Sequence, residues 1–192
     1  MELNKNKILS LDIETTGFFG QGGSIIEIGI VDLDLDTGEI TEVFDSLLRE
    51  ERLTDEHGEK PFGWIFKNSD LTLEEVMDAP LAKDIFPVVQ VLLDCYPLGC
   101  TAFNKKFDFG FLRDRGLKIK ELPCPMLLST NICKIKNRYG YKWPKVEEAF
   151  SHFYPDIEYT EKHRGLDDAK HEAMIVYALY QLGVFVVDGE KP

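Results

Sequence analysis

The sequence lacks an apolar run long enough to cross a lipid bilayer, which takes roughly 18 residues or more. Its longest candidate, residues 85–98, is interrupted by Pro87, Asp94 and Pro97. The N-terminal residues also lack the pattern of a signal peptide, because their apolar stretch is short and no small-residue cleavage site follows it. We therefore expect a protein that has no membrane partner and works in the cytoplasm.

Cysteine is scarce as well. The four cysteines among 192 residues form no CxxC pair and show no zinc-type spacing. We expect buried or free thiols, which suit a reducing cytoplasm, and treat a disulfide or a metal site as the less favoured alternatives. Repeats, low-complexity tracts and linkers are absent too, so residues 1–192 are predicted to form a single domain.

Positive charge is in deficit, since 22 Lys and Arg stand against 34 Asp and Glu, a formal net charge of −12. This balance argues against general affinity for nucleic acid. Residues 105–145 are the exception, with 11 basic and three acidic side chains. A basic segment in an acidic protein could guide a polyanion to one place, although a solvated face of mixed charge is the simpler alternative.

Two acids do interrupt an apolar segment where a buried strand is expected, ILSLDIETTGF at residues 8–18. Asp12 and Glu14 are two apart, so on a strand they project to the same side. Neighbouring carboxylates repel each other, and a bound divalent cation would remove that conflict. Carboxylate oxygens suit Mg²⁺ or Mn²⁺. The pair therefore predicts a metal site, with two ordinary acids at a solvated strand end as the alternative.

A second polar pair lies in AFNKKFDFGFL. Asn104 and Asp108 are four apart, which places them on one face of a predicted helix. Phe103, Phe107 and Phe111 repeat at the same interval and are expected to pack in the core. That packing would hold Asp108 at the edge of an aromatic stripe, while Asn104 could bond a carboxylate or cap the helix.

A third group lies in HRGLDDAKHEA. His163 and Asp168 are five apart, about 140° around a helix, so they would not share a helix face. Gly165 favours a mobile loop for His163 and the first turn of the last helix for Asp168. A histidine near a water held by a metal could accept its proton near neutral pH. His171, one turn after Asp168, is the competing candidate for that role.

The predicted strands come early and the helices late. Residues 7–14, 24–36 and 40–48 predict an antiparallel meander, residues 98–103 a fourth strand, and residues 124–130 a short edge strand. Helices are predicted at about 73–94 with interruptions near Pro80 and Pro87, and at about 105–116, 130–137, 143–153 and 166–183. This order favours an α/β sandwich around a mixed sheet.

The three polar groups, in this order and spacing, resemble the DEDDh, or DnaQ-like, family of 3′–5′ exonucleases, whose members include proofreading subunits of DNA polymerase III and RNase T. The resemblance runs from Lys7 to about Gly183 and is carried by LDIETTG with the following IIEIGIV, by FNKKFDFGFL and by HRGLDDA. Each motif alone is weak, and the combination is specific.

The resemblance implies a ribonuclease H-like α/β fold. Its mixed five-stranded sheet would join the three-strand antiparallel meander to two parallel strands and be flanked by helices. It also implies two Mg²⁺ or Mn²⁺ ions and His163 as the general base. The implied metal ligands are Asp12, Glu14, Asp108 and Asp168. In two-metal chemistry, ions about 3.5–4 Å apart stabilise the attacking and leaving oxygens of an in-line displacement.

The same resemblance places the loop after Glu14 against the 3′-terminal nucleotide. Gly17 would permit close approach of the backbone, and Phe18 or Phe19 would stack on or wedge beside the last base. The implied substrate-binding residues are Thr15, Thr16, Gly17, Phe18 and Asn104. Family members usually carry Ala where Gly165 stands and a histidine where Phe103 stands, and we expect Gly165 to make the histidine loop more mobile.

We thus expect a metal-dependent 3′–5′ exonuclease that acts on single-stranded ends, DNA in the first place, and releases 5′-mononucleotides, with a DNA polymerase as a possible partner. Alternatives are an RNA-trimming enzyme like RNase T or oligoribonuclease, and a catalytically inactive binding module with the same fold. An aspartyl-phosphate phosphatase is least favoured, because LDIET has Glu as its second acid and no Lys-bearing motif completes the signature.

Overall fold

A computed structural model describes residues 5–59 and 61–187 of the chain. Its main sheet consists of β1 (Lys7–Thr15), β2 (Ile25–Asp34), β3 (Ile40–Leu47) and β4 (Cys100–Thr101). The strand order is β3-β2-β1-β4. The first three strands pair antiparallel, and β4 runs parallel to β1. The predicted meander and the parallel fourth strand are confirmed.

Helices cover both faces of this sheet, which confirms the predicted α/β class. In chain order they are α1 (Ile65–Asn68), α2 (Leu73–Asp78), α3 (Ala82–Asp94), α4 (Lys105–Asp114), α5 (Pro125–Cys133), α6 (Val146–Phe153) and α7 (Gly165–Gln181). A small hairpin of β5 (Lys136–Asn137) and β6 (Gly140–Tyr141) lies between α5 and α6. Over the described ranges, no helix is both long and apolar enough to span a membrane.

The prediction of a fifth strand at residues 124–130 is wrong, since this segment forms most of α5. Pro125 occupies the first turn of that helix, where its fixed φ and missing N–H are well tolerated. The methionine and leucines that follow it are good helix formers. In the part of the chain that is described, a single parallel bridge between Cys100 and Glu121 extends the sheet beyond β4.

The prediction of a helix break at Pro87 is also wrong, because α3 runs through this residue. A proline inside a helix costs about 3 kcal/mol. Val89 and Leu93, which follow Pro87 in α3, are buried against the sheet. Burying such side chains contributes about 1.5–3 kcal/mol each, enough to offset the proline. The chain does break near Pro80, between α2 and α3, as predicted.

Alternation along β1 decides what each face of the sheet carries. Leu9, Leu11 and Ile13 lie in a hydrophobic cluster that includes residues of α3 and α4. Ile8 lies in the opposite cluster, with residues of α6 and α7. Residues two apart on a strand share a side, so the side of Ile8, which faces α7, is also the side of Asp12.

The N-terminus of α7 is seated directly on β2. A Cβ added at Gly29 would lie 2.1 Å from the carbonyl carbon of Gly165, so the two backbones meet where only glycine fits. Gly29 is the antiparallel partner of Asp12 in β1. Glu27, two residues before Gly29, accepts a 2.9 Å hydrogen bond from the Gly165 amide. This contact fixes the start of α7 beside Asp12.

Gly29→Ala is predicted to destabilise the protein and displace the start of α7. Extra volume at a closely packed position costs about 1–3 kcal/mol. At Gly29 the added methyl group would collide with the backbone of Gly165, which cannot rotate away as a side chain can. Urea denaturation should show a lower free energy of unfolding. Gly110→Ala is the matched control, because a Cβ at Gly110 meets its nearest neighbour, the Phe19 ring, at an ordinary 3.6 Å. Equal stability of the two variants would contradict this description of the helix seat.

Candidate active site

The structure brings the acidic and histidine residues predicted from the sequence into one place. A cavity of about 180 Å³, which we call the catalytic cavity, is lined by Asp12, Glu14, Asp108 and His163. Asp168 adjoins it, because its carboxylate, that of Glu14 and the His163 ring offer ligand atoms within 4.8 Å of one another. These residues come from β1, α4, α7 and the loop before α7. Sequence positions more than 150 residues apart thus converge at the end of β1.

Asp12 and Glu14 are held in surroundings that disfavour negative charge. Burial is the main cause that raises the pKa of both carboxyls well above the usual range. Negative neighbours add to the effect, Glu172 most strongly at Asp12 and Asp168 most strongly at Glu14. A bound cation would favour the charged forms of the two carboxylates of β1.

Asp108 lies in the first turn of α4 and is buried. Burial raises its pKa to about 7, although the backbone amides of Asp108 itself and of Ile13 oppose that rise. Asp108 lines the same cavity as the two acids of β1.

Asp168 is positioned by two donors. The Tyr159 hydroxyl donates to Oδ1 at 2.7 Å, and the backbone amide of Arg164 donates to Oδ2 at 2.9 Å. Tyr159 was not predicted from the sequence, because a single tyrosine in an irregular segment carries no periodic signal. Its ring stacks on His171 at 4.0 Å, which helps to fix the hydroxyl.

His171, the competing candidate for the general base, is engaged elsewhere. Besides stacking on Tyr159, its Nδ1 lies 2.7 Å from the carbonyl oxygen of Asp167. It is not among the residues that line the catalytic cavity. Of the two histidines, His163 lines that cavity and His171 does not.

His163 occupies the loop before α7, and Asp168 lies in the first turn of that helix, as the spacing predicts. His163 has a left-handed backbone with φ of +55°, which is uncommon for a non-glycine residue. Its ring meets Trp64 edge-on at 4.9 Å, and its Nδ1 lies 3.9 Å from a Glu161 carboxylate oxygen. Gly165, expected to loosen this loop, instead begins α7 and is buried against β2.

Glu172 is an acid in the cavity that was not predicted from the sequence. It is buried in α7 one turn after Asp168, so the two share a helix face. It lines the catalytic cavity and accepts a 3.1 Å hydrogen bond from the Phe103 amide. Burial, followed by the charge of Asp108, raises the pKa of Glu172 well above its usual range. Its four-residue spacing from Asp168 was the available sequence signal.

An apolar cavity of about 430 Å³ adjoins the catalytic one and shares Ile13, Glu14 and Phe107 with it. The predicted substrate-binding residues Thr15, Thr16, Gly17 and Phe18 line it, together with Pro61, Trp64 and Ile65. Phe18 is 68% exposed at its edge. Trp64 was not predicted, because residues 49–72 show no regular pattern of polar and apolar residues.

The loop that carries these residues is held by its own hydrogen bonds. Thr15 donates through its hydroxyl to the Gly17 carbonyl at 2.8 Å, and the Thr16 hydroxyl accepts from the Ser24 amide at 3.0 Å. The group that approaches Gly17 most closely is the Phe62 ring, 2.9 Å from where a Cβ would lie. The absence of a side chain at Gly17 therefore serves contact within the protein.

Asn104 and the phenylalanines only partly follow the sequence prediction. Asn104 is the N-cap residue of α4, makes no side-chain cap bond and lines the catalytic cavity. Phe107 and Phe111 contact each other at 5.1 Å. Phe103 precedes the helix and is buried in the core on the other side of the sheet, so the three rings do not form one stripe.

The donor set fits divalent cations. Carboxylates dominate the polar lining of the catalytic cavity, and in the described ranges neither lysine nor arginine lines it. Buried carboxylates without a cation are costly, whereas hard oxygen ligands are those that Mg²⁺ and Mn²⁺ prefer. The side chains that line the catalytic cavity therefore fit divalent cations as a class.

The sequence matches the model of an exonuclease family, RNase_T, over residues 9–176. This match spans most of the 192 residues, and the chain belongs to this family. It confirms the DEDDh resemblance and the class of enzyme, a 3′–5′ exonuclease, that the three sequence motifs predict. No curated protein matches the chain significantly.

Solved structures of other nucleases share the fold. The nuclease domain of 3′hExo, a DEDDh family member bound to rAMP, has a TM-score of 0.64 and 20% identity over 97% of this chain and 98% of that one. Exonuclease I of E. coli in complex with a dA16 oligonucleotide has a TM-score of 0.68 and 11% identity over 94% and 42%. Cell-death related nuclease 4 has a TM-score of 0.62 and 13% identity over 93% and 64%.

The stability of the metal-free protein is predicted to fall as pH rises from about 4 to about 7. Burial raises the pKa of Asp108 to about 7 in the folded state, against about 3.9 when unfolded. The folded state then binds protons more tightly, so the free energy of unfolding falls between about pH 4 and pH 7. Thermal unfolding in chelator should show this fall, and added Mn²⁺ should reverse it.

Asp108→Asn should flatten that pH dependence, because it removes one of the charges that burial disfavours. Asp84→Asn, at an exposed position of α3, is the control and should unfold like the parent across the same range. A parent and an Asp108→Asn protein that lose stability equally would contradict the assignment of the pH dependence to Asp108.

Proposed function

We propose that this chain is a metal-dependent exonuclease that hydrolyses phosphodiester bonds from the 3′ end of single-stranded DNA and releases 5′-mononucleotides. The convergence of Asp12, Glu14, Asp108, Asp168 and His163 beside an apolar cavity carries this proposal. The acids can hold cations, the histidine can move a proton, and the apolar cavity can receive a terminal nucleotide.

In this proposal, the metal ligands are Asp12, Glu14, Asp108 and Asp168. Two Mg²⁺ or Mn²⁺ ions, when bound, stabilise the charge on the attacking and leaving oxygens of an in-line displacement. The four carboxylates would balance the charge of the two ions, and the scissile phosphate would add further negative charge. Tyr159 acts as a positioning residue, because its hydrogen bond holds the Asp168 carboxylate in place.

His163 is proposed as the general base that takes a proton from the attacking water. The ring is next to Glu14 and Asp168, where the reaction would occur. The Glu161 carboxylate, 3.9 Å from Nδ1, stabilises the imidazolium that proton uptake forms. Trp64, edge-on to the ring, limits how far it can turn.

The terminal nucleotide is proposed to enter the apolar cavity. Trp64 and Phe107 line it and offer aromatic surface for the base, while Phe18 lies at its exposed edge. Stacking of a base on an aromatic ring contributes about 1–3 kcal/mol and tolerates any sequence. Asn104, which lines the catalytic cavity, would supply polar groups near the scissile bond.

RNA is the second candidate substrate. The solved structure of 3′hExo, which matches almost end to end, is described as bound to rAMP, whereas that of Exonuclease I holds a DNA oligonucleotide. Both likenesses are at 20% identity or less, so they support a nucleic-acid 3′ end without choosing the sugar. A DNA polymerase partner and a cytoplasmic location stay predictions from the sequence.

The parent protein is predicted to shorten 5′-labelled DNA oligomers from the 3′ end in Mg²⁺ or Mn²⁺, and chelator should stop the reaction. His163→Ala should lower kcat by about 10²–10⁴-fold, the usual contribution of a general base, while Mn²⁺ binding persists. His152→Ala, at an exposed position of α6, is the control. Gel ladders with DNA and RNA in parallel decide the substrate, and failure to shorten either would refute the proposal.

Trp64→Ala is predicted to raise KM by about tenfold, because it removes aromatic surface for the terminal base. Trp64→Phe should retain most of the affinity, since a ring remains. Ile157→Ala removes another exposed apolar side chain, one outside the apolar cavity, and serves as the control. An unchanged KM in Trp64→Ala, measured by initial rates on a short oligomer, would exclude this residue from the nucleotide pocket.

A further inference from the structure

A basic hairpin with exposed aromatic side chains projects between α5 and α6. In it, Lys136 pairs with Tyr141 and Asn137 with Gly140. We call residues 134–145 the basic hairpin. This segment contains no Asp or Glu. Its cations are Lys134, Lys136, Arg138, Lys142 and Lys145, and its aromatic residues are Tyr139, Tyr141 and Trp143.

The aromatic side chains of the hairpin point into solvent. Tyr139 is 81% exposed, Trp143 66% and Tyr141 46%. Such large rings contribute little to a core at this exposure, and clustered exposed apolar groups mark interaction surfaces. The Arg138 guanidinium lies over the Tyr139 ring at 4.6 Å, which presents a cation and an aromatic face together.

The local charge selects a polyanion. The hairpin contributes five positive charges in a chain whose formal net charge is −12. Lys142 forms an ion pair with Glu148 at 2.6 Å, which anchors the hairpin to α6. Positive grooves that track phosphates, interleaved with aromatic rings that stack bases, are the pattern of proteins that bind single-stranded nucleic acid.

The hairpin leads straight to the catalytic cavity. Val146, the first residue of α6, lines that cavity, as does Glu161. Glu147, in the first turn of α6, accepts a 3.1 Å hydrogen bond from the Glu161 amide, so the start of α6 lies against this cavity. Trp143 is three residues from Val146, so their Cα atoms are at most about 11 Å apart. That span corresponds to roughly three nucleotides of a stacked strand.

We propose that the basic hairpin binds single-stranded nucleic acid a few nucleotides upstream of the 3′ end. Bases stack on Tyr139 and Trp143, and phosphates lie against Lys136 and Arg138. The inference rests on the proposed function for the end of the strand that occupies the catalytic cavity. It adds a second anchoring point, which would favour longer substrates over short ones.

Binding is measured with a 5′-fluorescein, single-stranded oligonucleotide of about 15 nucleotides, near the largest site sizes of comparable modules. Chelator prevents hydrolysis, and fluorescence anisotropy reports affinity. Tyr139→Ala with Trp143→Ala should weaken binding about tenfold. Lys136→Ala with Arg138→Ala should reduce the slope of log affinity against log salt by about 0.7 for each phosphate that the variant no longer neutralises.

The charge control is Lys83→Ala with Lys118→Ala, which removes two lysines from exposed positions near α3, on the other face of the sheet. It should bind the oligonucleotide like the parent. Tyr139→Phe with Trp143→Phe keeps the rings and should retain affinity, which separates the removal of stacking from misfolding. Hairpin alanine variants that bind with parental affinity and salt dependence would overturn the inference.

Turnover separates this inference from the proposed function. In active protein, the preference for the longer oligonucleotide over a dinucleotide, as a ratio of kcat/KM, should fall about tenfold in the alanine variants. A parent that binds the oligonucleotide through the hairpin but never hydrolyses it would refute the proposed function alone.

Vesicles of anionic lipid are the last probe. The inference would be overturned in favour of a membrane surface if the hairpin variants lost binding to these vesicles but bound the oligonucleotide like the parent.

Discussion

The structure depends on a concentration of buried negative charge at the end of one strand. Asp12, Glu14, Asp108 and Glu172 have raised pKa values, chiefly because burial disfavours their charged forms, and at most of them neighbouring acids add to the effect. A fold that places several acids together in this way sacrifices stability unless cations enter. The same feature that weakens the metal-free protein thus equips it for chemistry on a phosphate.

Long-range contacts around α7 make this arrangement possible. Gly29 and Gly165 let the helix start directly on β2, and Glu27 holds it there through the Gly165 amide and the Arg164 guanidinium. Asp168 and Glu172 then face the end of β1 from one side of the helix. The position of the histidine loop is fixed at the same time, because the loop ends at Arg164, which Glu27 holds.

Part of the fold and of the site could be predicted because it depends on the spacing of residues that are close together in the sequence. The two-residue interval of Asp12 and Glu14 placed them on a common side, and Gly165 marked the boundary between the histidine loop and α7.

The edge strand was predicted wrongly because a short apolar run fits either a strand or a helix, and Pro125 decides in favour of the helix. Pro87 is tolerated because burial of later residues outweighs its cost, which a local rule cannot reveal. Trp64 contacts His163 far along the chain, and Tyr159 reaches Asp168 from an irregular segment, so no periodicity could identify either residue.

Calorimetric titration with Mn²⁺ tests most directly whether the chain holds a pair of divalent ions between its acids, on which the proposed chemistry depends. We expect two ions for each chain and the loss of at least one in Asp12→Asn, with no change in Asp84→Asn. A parent that binds no Mn²⁺, or an Asp12→Asn protein that binds as many ions as the parent, would contradict the claim that these acids hold a pair of divalent ions.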